Sequence, residues 1–475
     1  MKFQFLRVFW LVLLMASGAA LSGPLVSTPS GTSFKGGFHP AQDVRFLYDK
    51  TFLNANNERV MEHEIFDQVY ALIKQSTRLV LVDMFLFNDF KGSQISSPRP
   101  LSEELTQALL QKKASFPECD VILITDPVNT VYGGVSSPYL ERLKKAGVQV
   151  VITDLEQLPD SNTLYSPLWR VLFASKNYVP KWRLPNPFDK GKVPLASMLS
   201  LINFKANHRK VVIGVNDQEM TAIVGSANPH DGSGAHENLA VRFSGQAVVD
   251  LLRTERTVVA FSGGGGLLSS FQGSQAMDAS EVTLRVITER AIKEAVLDAV
   301  NESMAGDAID IAMFYFGERD IIAALGSAKK RGVAIRLLLD PNKDAFGREK
   351  NGIPNRPSAH ELAKLGISIR WCLTQGEQCH SKMLLARYKD GNSRVILGSA
   401  NYTRRNIDGF NLETNMELRG PSTHQEFENL ADYFESRWLS KKSRKTSLEY
   451  RVYRDIGVFK YWQYRLMEFS GLSAF

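Results

Sequence analysis

Two stretches of the chain repeat the same order of amphipathic segments and apolar runs. Each has a helical pattern, an apolar run typical of a buried strand, and a second apolar run that ends in Asp-Pro. The first copy lies at 60–74, 82–87 and 121–127, and the second at 288–300, 311–316 and 335–341. Gly147 and Gly366 then each mark the end of a helix and the start of a new strand. Strands that alternate with helices predict an α/β fold, and the repetition predicts two halves.

The first copy is longer than the second because it carries an insert. Gly147 and His208 are 61 positions apart, whereas Gly366 and His380 are 14 apart. The difference of about 47 residues falls at 151–201, which is rich in aromatic residues and proline. Its aromatic residues are Tyr165, Trp169, Phe173, Tyr178, Trp182 and Phe188. Such a segment either forms a lid or binding element near a site or packs its rings onto the body, and the sequence leaves both open.

The repeats also give the domain organisation. We expect a first half at 40–255 and a second half at 281–440, joined by a Gly/Ser-rich linker at 256–280. A tail at 441–475 interleaves lysine and arginine with tyrosine, tryptophan and phenylalanine. This composition suits the headgroup zone of an anionic bilayer, or a closing helix that packs on the body with its basic residues in solvent.

The composition is that of a globular protein with a modest positive charge. The 475 residues are 44% hydrophobic and 23% charged, and the mean hydropathy of −0.16 excludes a polytopic membrane protein. The net charge of +7 fits an anionic partner, either a phospholipid surface or nucleic acid. Three cysteines are too few for a disulfide scaffold or a Cys-rich zinc module.

The N-terminus has the plan of a secretory signal. Lys2 and Arg7 precede an apolar run at 8–15 and small residues up to Ser22, which predicts a signal peptide at 1–22. The alternative is an uncleaved anchor. We expect an exported protein, periplasmic or secreted, that is soluble or associated with a membrane. In an oxidising compartment Cys372 and Cys379 can form a disulfide, although two buried thiols are an equal alternative.

The candidate chemistry lies in two copies of one constellation. Each copy has a His-x-Lys pair on one strand of a hairpin and Gly-Ser-x-Asn at the end of the other. Residues two apart on a strand share a face, so each hairpin presents an imidazole, an ammonium, a hydroxyl and an amide together. A glutamate that follows each asparagine can hold the Nδ1–H group of a ring and fix its tautomer. The residues are His208, Lys210, Ser226, Asn228 and Glu237 in the first copy, and His380, Lys382, Ser399, Asn401 and Glu413 in the second.

This residue set suits a phosphodiester substrate. Ammonium, amide and hydroxyl groups can neutralise and hydrogen-bond the non-bridging oxygens. One histidine can attack phosphorus while the other protonates the leaving oxygen. A zinc site is a poor alternative, because the set supplies lysine and asparagine instead of further soft or acidic ligands.

The doubled motif resembles that of the phospholipase D superfamily. The resemblance covers about 40–440 and implies a duplicated phospholipase D-like fold, with two α/β sandwich halves around a pseudo-two-fold axis and one shared active site. It also implies a two-step reaction through a phosphohistidine, without metal or cofactor. By similarity, His208 is the nucleophile and His380 the acid that later activates the acceptor.

The sequence departs from the family motif at one point. The motif usually ends in Asp seven positions after the histidine, and those positions here are Val215 and Arg387. The departure indicates a divergent subfamily.

The function expected from these features is that of an exported phosphodiesterase or phosphatidyltransferase acting on phospholipids, similar to phospholipase D or cardiolipin synthase. The alternative is an exported nuclease of the same superfamily that acts on DNA or RNA. The intact doubled motif argues against a non-catalytic binding module. Because both motifs lie in one chain, we expect a monomer.

Overall fold

The computed structural model describes residues 27–90, 99–163, 165–173, 182–268, 271, 279–345, 348–473 and 475. The expected signal peptide at 1–22 and Tyr178 of the insert lie outside the described residues. Within the described part, no helix combines the length and the apolar character needed to cross a bilayer.

Two large mixed sheets form the centre of the molecule. In order across the first sheet, the strands are Arg444–Lys445, Gln42–Asn54, Asn238–Ser244, Met220–Gly225, Lys210–Val215, Leu79–Met84, Asp120–Thr125 and Gln149–Ile152, with Arg59–His63 also paired to Gln42–Asn54. In the second sheet they are His39–Pro40, Thr283–Thr288, Thr414–Pro421, Asn392–Gly398, Lys382–Arg387, Ala308–Met313, Ala334–Leu339, Ser368–Cys372 and Ser447–Glu449. In the first sheet, the strands Leu79–Met84, Asp120–Thr125 and Gln149–Ile152 run parallel to one another. In the second sheet, the strands Ala308–Met313, Ala334–Leu339 and Ser368–Cys372 do the same. All other neighbouring strands in the two sheets are antiparallel.

The two sheets share one strand order apart from their edges, and one edge strand of each sheet comes from the opposite end of the chain. His39–Pro40, before the first half, pairs with Thr283–Thr288 of the second sheet. Arg444–Lys445, after the second half, pairs with Gln42–Asn54 of the first sheet. The duplicated α/β fold is therefore confirmed, and the chain termini tie the two halves to each other.

Helices cover the outer faces of both sheets and contribute to the layer between them. The α-helices of the described residues are Ile65–Gln75, Leu101–Ser115, Pro138–Lys145, Tyr165–Phe173, Leu195–Leu201, Gln246–Phe261, Arg290–Glu302, Arg319–Lys330, Asn355–Lys364, Arg404–Ile407, Gln425–Leu439 and Val458–Ser470. Short 3-10 helices occur at Pro127–Thr130, Leu155–Gln157, Asp231–Ser233 and Tyr450–Tyr453. Two small hairpins pair Arg183–Pro185 with Lys192–Pro194 and Asp344–Ala345 with Arg348–Glu349.

The central strands are apolar on both faces because each face is buried. Leu79 and Leu81 belong to the core between the sheets, whereas Val80 and Val82 pack under the outer helices of the first half. The core between the sheets joins strands of both halves with the helices Gln246–Phe261 and Gln425–Leu439. A separate outer core lies under the helices of the second half. Both halves thus share one hydrophobic layer, and the ends of their inner strands meet.

Three sequence predictions need correction in detail. The helical pattern at 60–74 begins with a strand, Arg59–His63, because these residues pair with Gln42–Asn54. The apolar runs 82–87 and 311–316 leave their sheets at Met84 and Met313, and the aromatic residues beyond these ends turn toward the histidines. The first residues of the expected linker 256–280 continue the helix that ends at Phe261.

The sequence left alternatives open for the two cysteines, the insert and the tail, and the structure gives a different outcome for each. Cys372 and Cys379 form a disulfide. In the insert, Trp169 is buried, whereas Trp182 is exposed. The start of the tail adds strands to both sheets, and the tail then forms the helix Val458–Ser470, which buries Tyr464 but exposes Phe459 and Phe469. The insert and the tail therefore each combine packing with exposed aromatic rings.

Gly225 permits the close approach of two inner strands, which gives a test of the fold. A Cβ atom at this position would lie 2.7 Å from the Leu239 carbonyl oxygen and would contact the Cβ of Ala240. Gly225→Ala should lower the free energy of unfolding in urea by about 1–3 kcal/mol, because the strand backbone cannot move aside cheaply. Gly265→Ala is the control, since a Cβ there has no atom within 4 Å. Equal unfolding midpoints for the two variants would contradict the close approach.

Candidate active site

The two halves bind each other through their backbones at the candidate histidines. The His208 N–H group donates to the Leu412 carbonyl at 2.9 Å, and Leu412 donates back to Ala206 at 3.0 Å. In the pseudo-symmetric position, the His380 N–H group donates to the Glu237 carbonyl at 2.8 Å. These short parallel bridges attach each histidine to the opposite half.

Two aspartates at strand ends hold the residue before each histidine. The Asp126 carboxylate accepts a hydrogen bond from the Asn207 N–H group at 2.8 Å, and Asp340 accepts one from the Cys379 N–H group at 2.8 Å. Burial raises the pKa of Asp126 to about 7 and that of Asp340 to about 6. The repeated Asp-Pro pairs were interpreted from sequence only as strand ends, so the second role of these aspartates was missed.

Glu413 of the second half holds His208 of the first. The Nδ1 atom of His208 lies 2.9 Å and 3.0 Å from the two carboxylate oxygens of Glu413. Ser399 donates to the same carboxylate at 2.5 Å, and Asn406 donates to its other oxygen. This network places a proton on Nδ1 and leaves Nε2 as the nucleophilic or basic nitrogen.

Asn238, which the sequence analysis did not select, takes the corresponding position beside His380. The Nδ1 atom of His380 lies 3.0 Å from Asn238 Oδ1, and Ser226 donates to the same oxygen at 3.1 Å. The prediction that Glu237 holds a histidine is wrong. Its carboxylate is bound to Arg437, and only its backbone carbonyl contacts His380.

The Asn238 amide is fixed from behind, which defines its orientation. Its Nδ2 atom donates to the His236 carbonyl at 3.2 Å and lies 3.4 Å from a carboxylate oxygen of Asp49. Oδ1 therefore points to His380 and requires a proton on Nδ1 of that ring. His208 thus has a carboxylate partner and His380 a neutral one.

The predicted lysines lie beside the histidines under matching aromatic rings. Lys210 Nζ donates to the His208 carbonyl at 2.6 Å, and Lys382 Nζ donates to the His380 carbonyl at 2.7 Å. Phe85 lies 4.8 Å from the His208 ring and 5.0 Å from Lys210 Nζ. Phe314 has the same relation to the second pair, at 5.0 Å from His380 and 5.3 Å from Lys382.

The two motif asparagines are also buried and held by backbone. Asn228 Oδ1 accepts a hydrogen bond from the Leu86 N–H group at 3.2 Å, and Asn401 Oδ1 accepts one from Tyr315 at 3.3 Å. These contacts fix both amide planes. The motif serines have a different role from phosphate binding, since Ser226 and Ser399 donate to Asn238 and Glu413.

Arg209 lies between His208 and Lys210 and points into a fully buried ionic network. Its guanidinium contacts Glu255 at 3.0 Å and Glu289 at 2.7 Å. Glu289 also accepts a hydrogen bond from the Glu413 N–H group at 3.1 Å. This network connects the helix Gln246–Phe261, which contains Glu255, to Glu413, the residue that holds His208.

Electrostatic interactions show that both copies contribute to one site. Burial is the main cause that lowers the pKa of His208 to about 4 and that of Lys210 to about 7, and it also lowers the pKa of His380 and Lys382. Lys382 of the second half further lowers the pKa of His208, and Lys210 of the first half lowers that of His380. An anion placed among these groups would offset both desolvation and repulsion, so the site is suited to bind a phosphate group.

Comparisons with known proteins found one similar domain and several similar folds. A family model described as cardiolipin synthase, PLD-like domain matches residues 296–438. The fold is similar to that of a phosphatidylserine synthase from Haemophilus influenzae, with a TM-score of 0.53 and 9% identity over 97% of both chains. None of the curated protein sequences compared with this chain matches it.

Two further solved structures are similar over parts of their length. A polyphosphate kinase from Porphyromonas gingivalis aligns with a TM-score of 0.47 and 12% identity, over 90% of this chain and 53% of that enzyme. Nuc, a phospholipase D family member from Salmonella typhimurium, aligns at 21% identity over 35% of this chain and 97% of its own, with a TM-score of 0.27.

The matched segment contains the second His-x-Lys and Gly-Ser-x-Asn motifs, and the first half repeats both the motifs and the strand order around them. Residues 296–438 are therefore similar to a PLD-like domain, and the chain has a duplicated fold similar to that of the phosphatidylserine synthase.

Proposed function

We propose that this protein is an exported enzyme that cleaves or transfers the headgroup of a phospholipid through a phosphohistidine intermediate. The observation that carries the proposal is the paired site, in which each His-x-Lys pair is held by the opposite half. Two imidazoles and two ammonium groups at one phosphate site supply a nucleophile, an acid and charge stabilisation.

The reaction has two steps. In the first, Nε2 of His208 attacks phosphorus, the bond from phosphorus to the leaving oxygen breaks, and His380 gives that oxygen a proton. In the second, His380 takes a proton from water or an alcohol, the resulting oxygen nucleophile attacks phosphorus, and the bond from phosphorus to His208 breaks. Hydrolysis and transfer differ only in whether water or an alcohol attacks.

The difference between Glu413 and Asn238 supports these roles. Phosphorylation of His208 leaves positive charge on its ring, and the Glu413 carboxylate beside Nδ1 stabilises that charge. Asn238 orients His380 without adding negative charge. His380 therefore remains the stronger acid when it is protonated, as donation to a leaving alcohol requires.

Three features favour a phospholipid as the substrate. The matching family model is described as a cardiolipin synthase domain, and the phosphatidylserine synthase covers the same architecture from end to end. The N-terminal sequence has the plan of a secretory signal. The tail exposes aromatic and basic residues together, which suits a lipid interface.

The substrate class can be tested with one panel of labelled lipids and labelled DNA. Purified protein should release or transfer the headgroup from labelled phosphatidylglycerol or phosphatidylcholine vesicles and leave labelled DNA intact. His208→Ala and His380→Ala should each reduce turnover by about 10³–10⁴-fold, because each ring has its own step. EDTA should have little effect. Product release is measured across a salt series.

Two results would contradict the proposal. DNA cleavage that falls steeply with salt, without turnover of either lipid, would establish the nuclease alternative. Near-full activity in either histidine variant would exclude the two-histidine mechanism.

The unequal histidine partners give a second test. Glu413→Gln should reduce turnover of an alkyl phosphodiester by about 10³–10⁴-fold, because an amide can favour the wrong tautomer of His208. Asn238→Asp should keep His380 protonated to higher pH, because a carboxylate beside a histidine raises its pKa. The alkaline limb of the profile of kcat/KM against pH should then move upward by about 1–3 pH units.

The matched control is Glu237→Gln, which changes a carboxylate next to Asn238 in sequence that is bound to Arg437 instead of a histidine. It should leave the alkaline limb in place. If Asn238→Asp leaves this limb unchanged while Glu413→Gln shifts it, His208 is the acid and the two roles are reversed.

A further inference from the structure

The C-terminal helix Val458–Ser470 has two opposite faces with different environments. On the inner face Tyr464 is fully buried, and its hydroxyl donates to the Gly317 carbonyl at 2.5 Å. Glu468 on the same face accepts a hydrogen bond from the Arg404 N–H group at 2.8 Å. This face anchors the helix to the second half.

The outer face is apolar and exposed along the full length of the helix. Phe459 is 84% exposed, Trp462 63%, Leu466 64% and Phe469 79%. These residues recur at the three- and four-residue spacing of a single helix face. Val452, Ile456 and Leu472 extend the exposed apolar surface beyond both ends. Exposed apolar patches of this continuity mark interaction surfaces.

The segment around this face has an excess of positive charge. Residues 441–475 contain eight basic and three acidic side chains, a net charge of +5 out of +7 for the whole chain. The acidic residue within the helix is Glu468, which lies on the inner face. Burial raises the pKa of its carboxyl group to about 7. Lys460 forms an ion pair with Asp455, so the positive charge near the helix comes from Arg465 and from the basic excess of the tail.

The helix is also attached to the wall of the active site. Phe475, just after it, packs on Tyr315 with ring centroids 6.1 Å apart. Tyr315 follows Phe314, the ring that lies against His380, and its N–H group is bound by Asn401. The segment that holds the helix is thus the segment that lines the site.

We infer that the outer face of helix Val458–Ser470, consisting of Phe459, Trp462, Leu466 and Phe469, docks the enzyme on the surface of a bilayer that contains anionic phospholipid. The inference rests on the proposed function and adds the surface through which a lipid-acting site reaches its substrate. Aromatic and aliphatic side chains enter the headgroup boundary, while Arg465 and the basic excess of the tail attract anionic headgroups. The docked helix would be connected to the Phe314–Tyr315 wall of the site through the contact between Phe475 and Tyr315.

The experiment is vesicle co-sedimentation, which measures binding without turnover. All proteins carry His208→Ala, so that lipid is not consumed. The test variant is Phe459→Ser with Phe469→Ser, two rings that are largely exposed. The matched control is Phe116→Ser with Met304→Ser, two exposed apolar side chains on other parts of the surface. Thermal melting of each protein monitors the fold.

We expect the test variant to bind phosphatidylglycerol vesicles at least tenfold more weakly than the parent, and the control variant to bind them like the parent. The parent should also bind these vesicles at least fivefold more tightly than pure phosphatidylcholine vesicles, because anionic lipid attracts each nearby basic residue. Both double variants should melt within a few degrees of the parent.

Two outcomes would overturn the inference. One is vesicle binding by the test variant that equals that of the control. The other is a parent protein that sediments as a dimer and a test variant that sediments as a monomer, which would identify the face as a contact between two copies. A protein that binds vesicles through this face but turns over no lipid would contradict the proposed function and leave the docking surface in place.

Discussion

The candidate active site depends on the exchange of backbone hydrogen bonds between the two halves. His208 receives its backbone partner from Leu412 and its ring partner from Glu413, both in the second half. His380 receives its backbone partner from Glu237 and its ring partner from Asn238, both in the first half. Neither histidine would be oriented within an isolated half. The shared hydrophobic layer and the crossed edge strands therefore serve a geometric purpose, since any slip between the sheets would misplace both rings.

The two halves have the same backbone arrangement around their histidines, but the side chains that contact the two rings differ. Two copies of one hairpin give two histidines and two lysines with the same local contacts, yet one ring faces a carboxylate and the other an amide. Arg209 is a second point of difference, since its partner Glu289 also binds the backbone of Glu413. Its counterpart after His380 is Ser381, which contacts Tyr433. A single fold thus creates two environments for one residue type, as the proposed reaction with a nucleophile and an acid would require.

The sequence alone was sufficient for the fold but not for the partners of the histidines. The repeated apolar runs and Asp-Pro pairs follow from burial on both faces of inner strands, so they predicted the duplication. The ring partners lie on a different strand from each histidine, and the loops that lead to Asn238 and Glu413 differ in length. Glu237 was selected because a carboxylate resembles Glu413 chemically, but its backbone forms the bridge and its side chain turns to Arg437. The register of the bridge between Glu237 and Cys379 determines which of positions 237 and 238 directs its side chain to His380.

The tail shows how a terminal segment can serve the fold and the site in succession. Its first residues add an edge strand to the first sheet at Arg444–Lys445 and to the second at Ser447–Glu449. The helix that follows is held by Tyr464 and Glu468, and this anchoring does not require aromatic residues on its opposite face. A helix that served only to close the fold would carry polar side chains there, because exposed phenylalanine and tryptophan favour association in water. The outer face therefore reflects a constraint from outside the fold, and the anchoring of its inner face to the Phe314–Tyr315 segment places that constraint beside the active site.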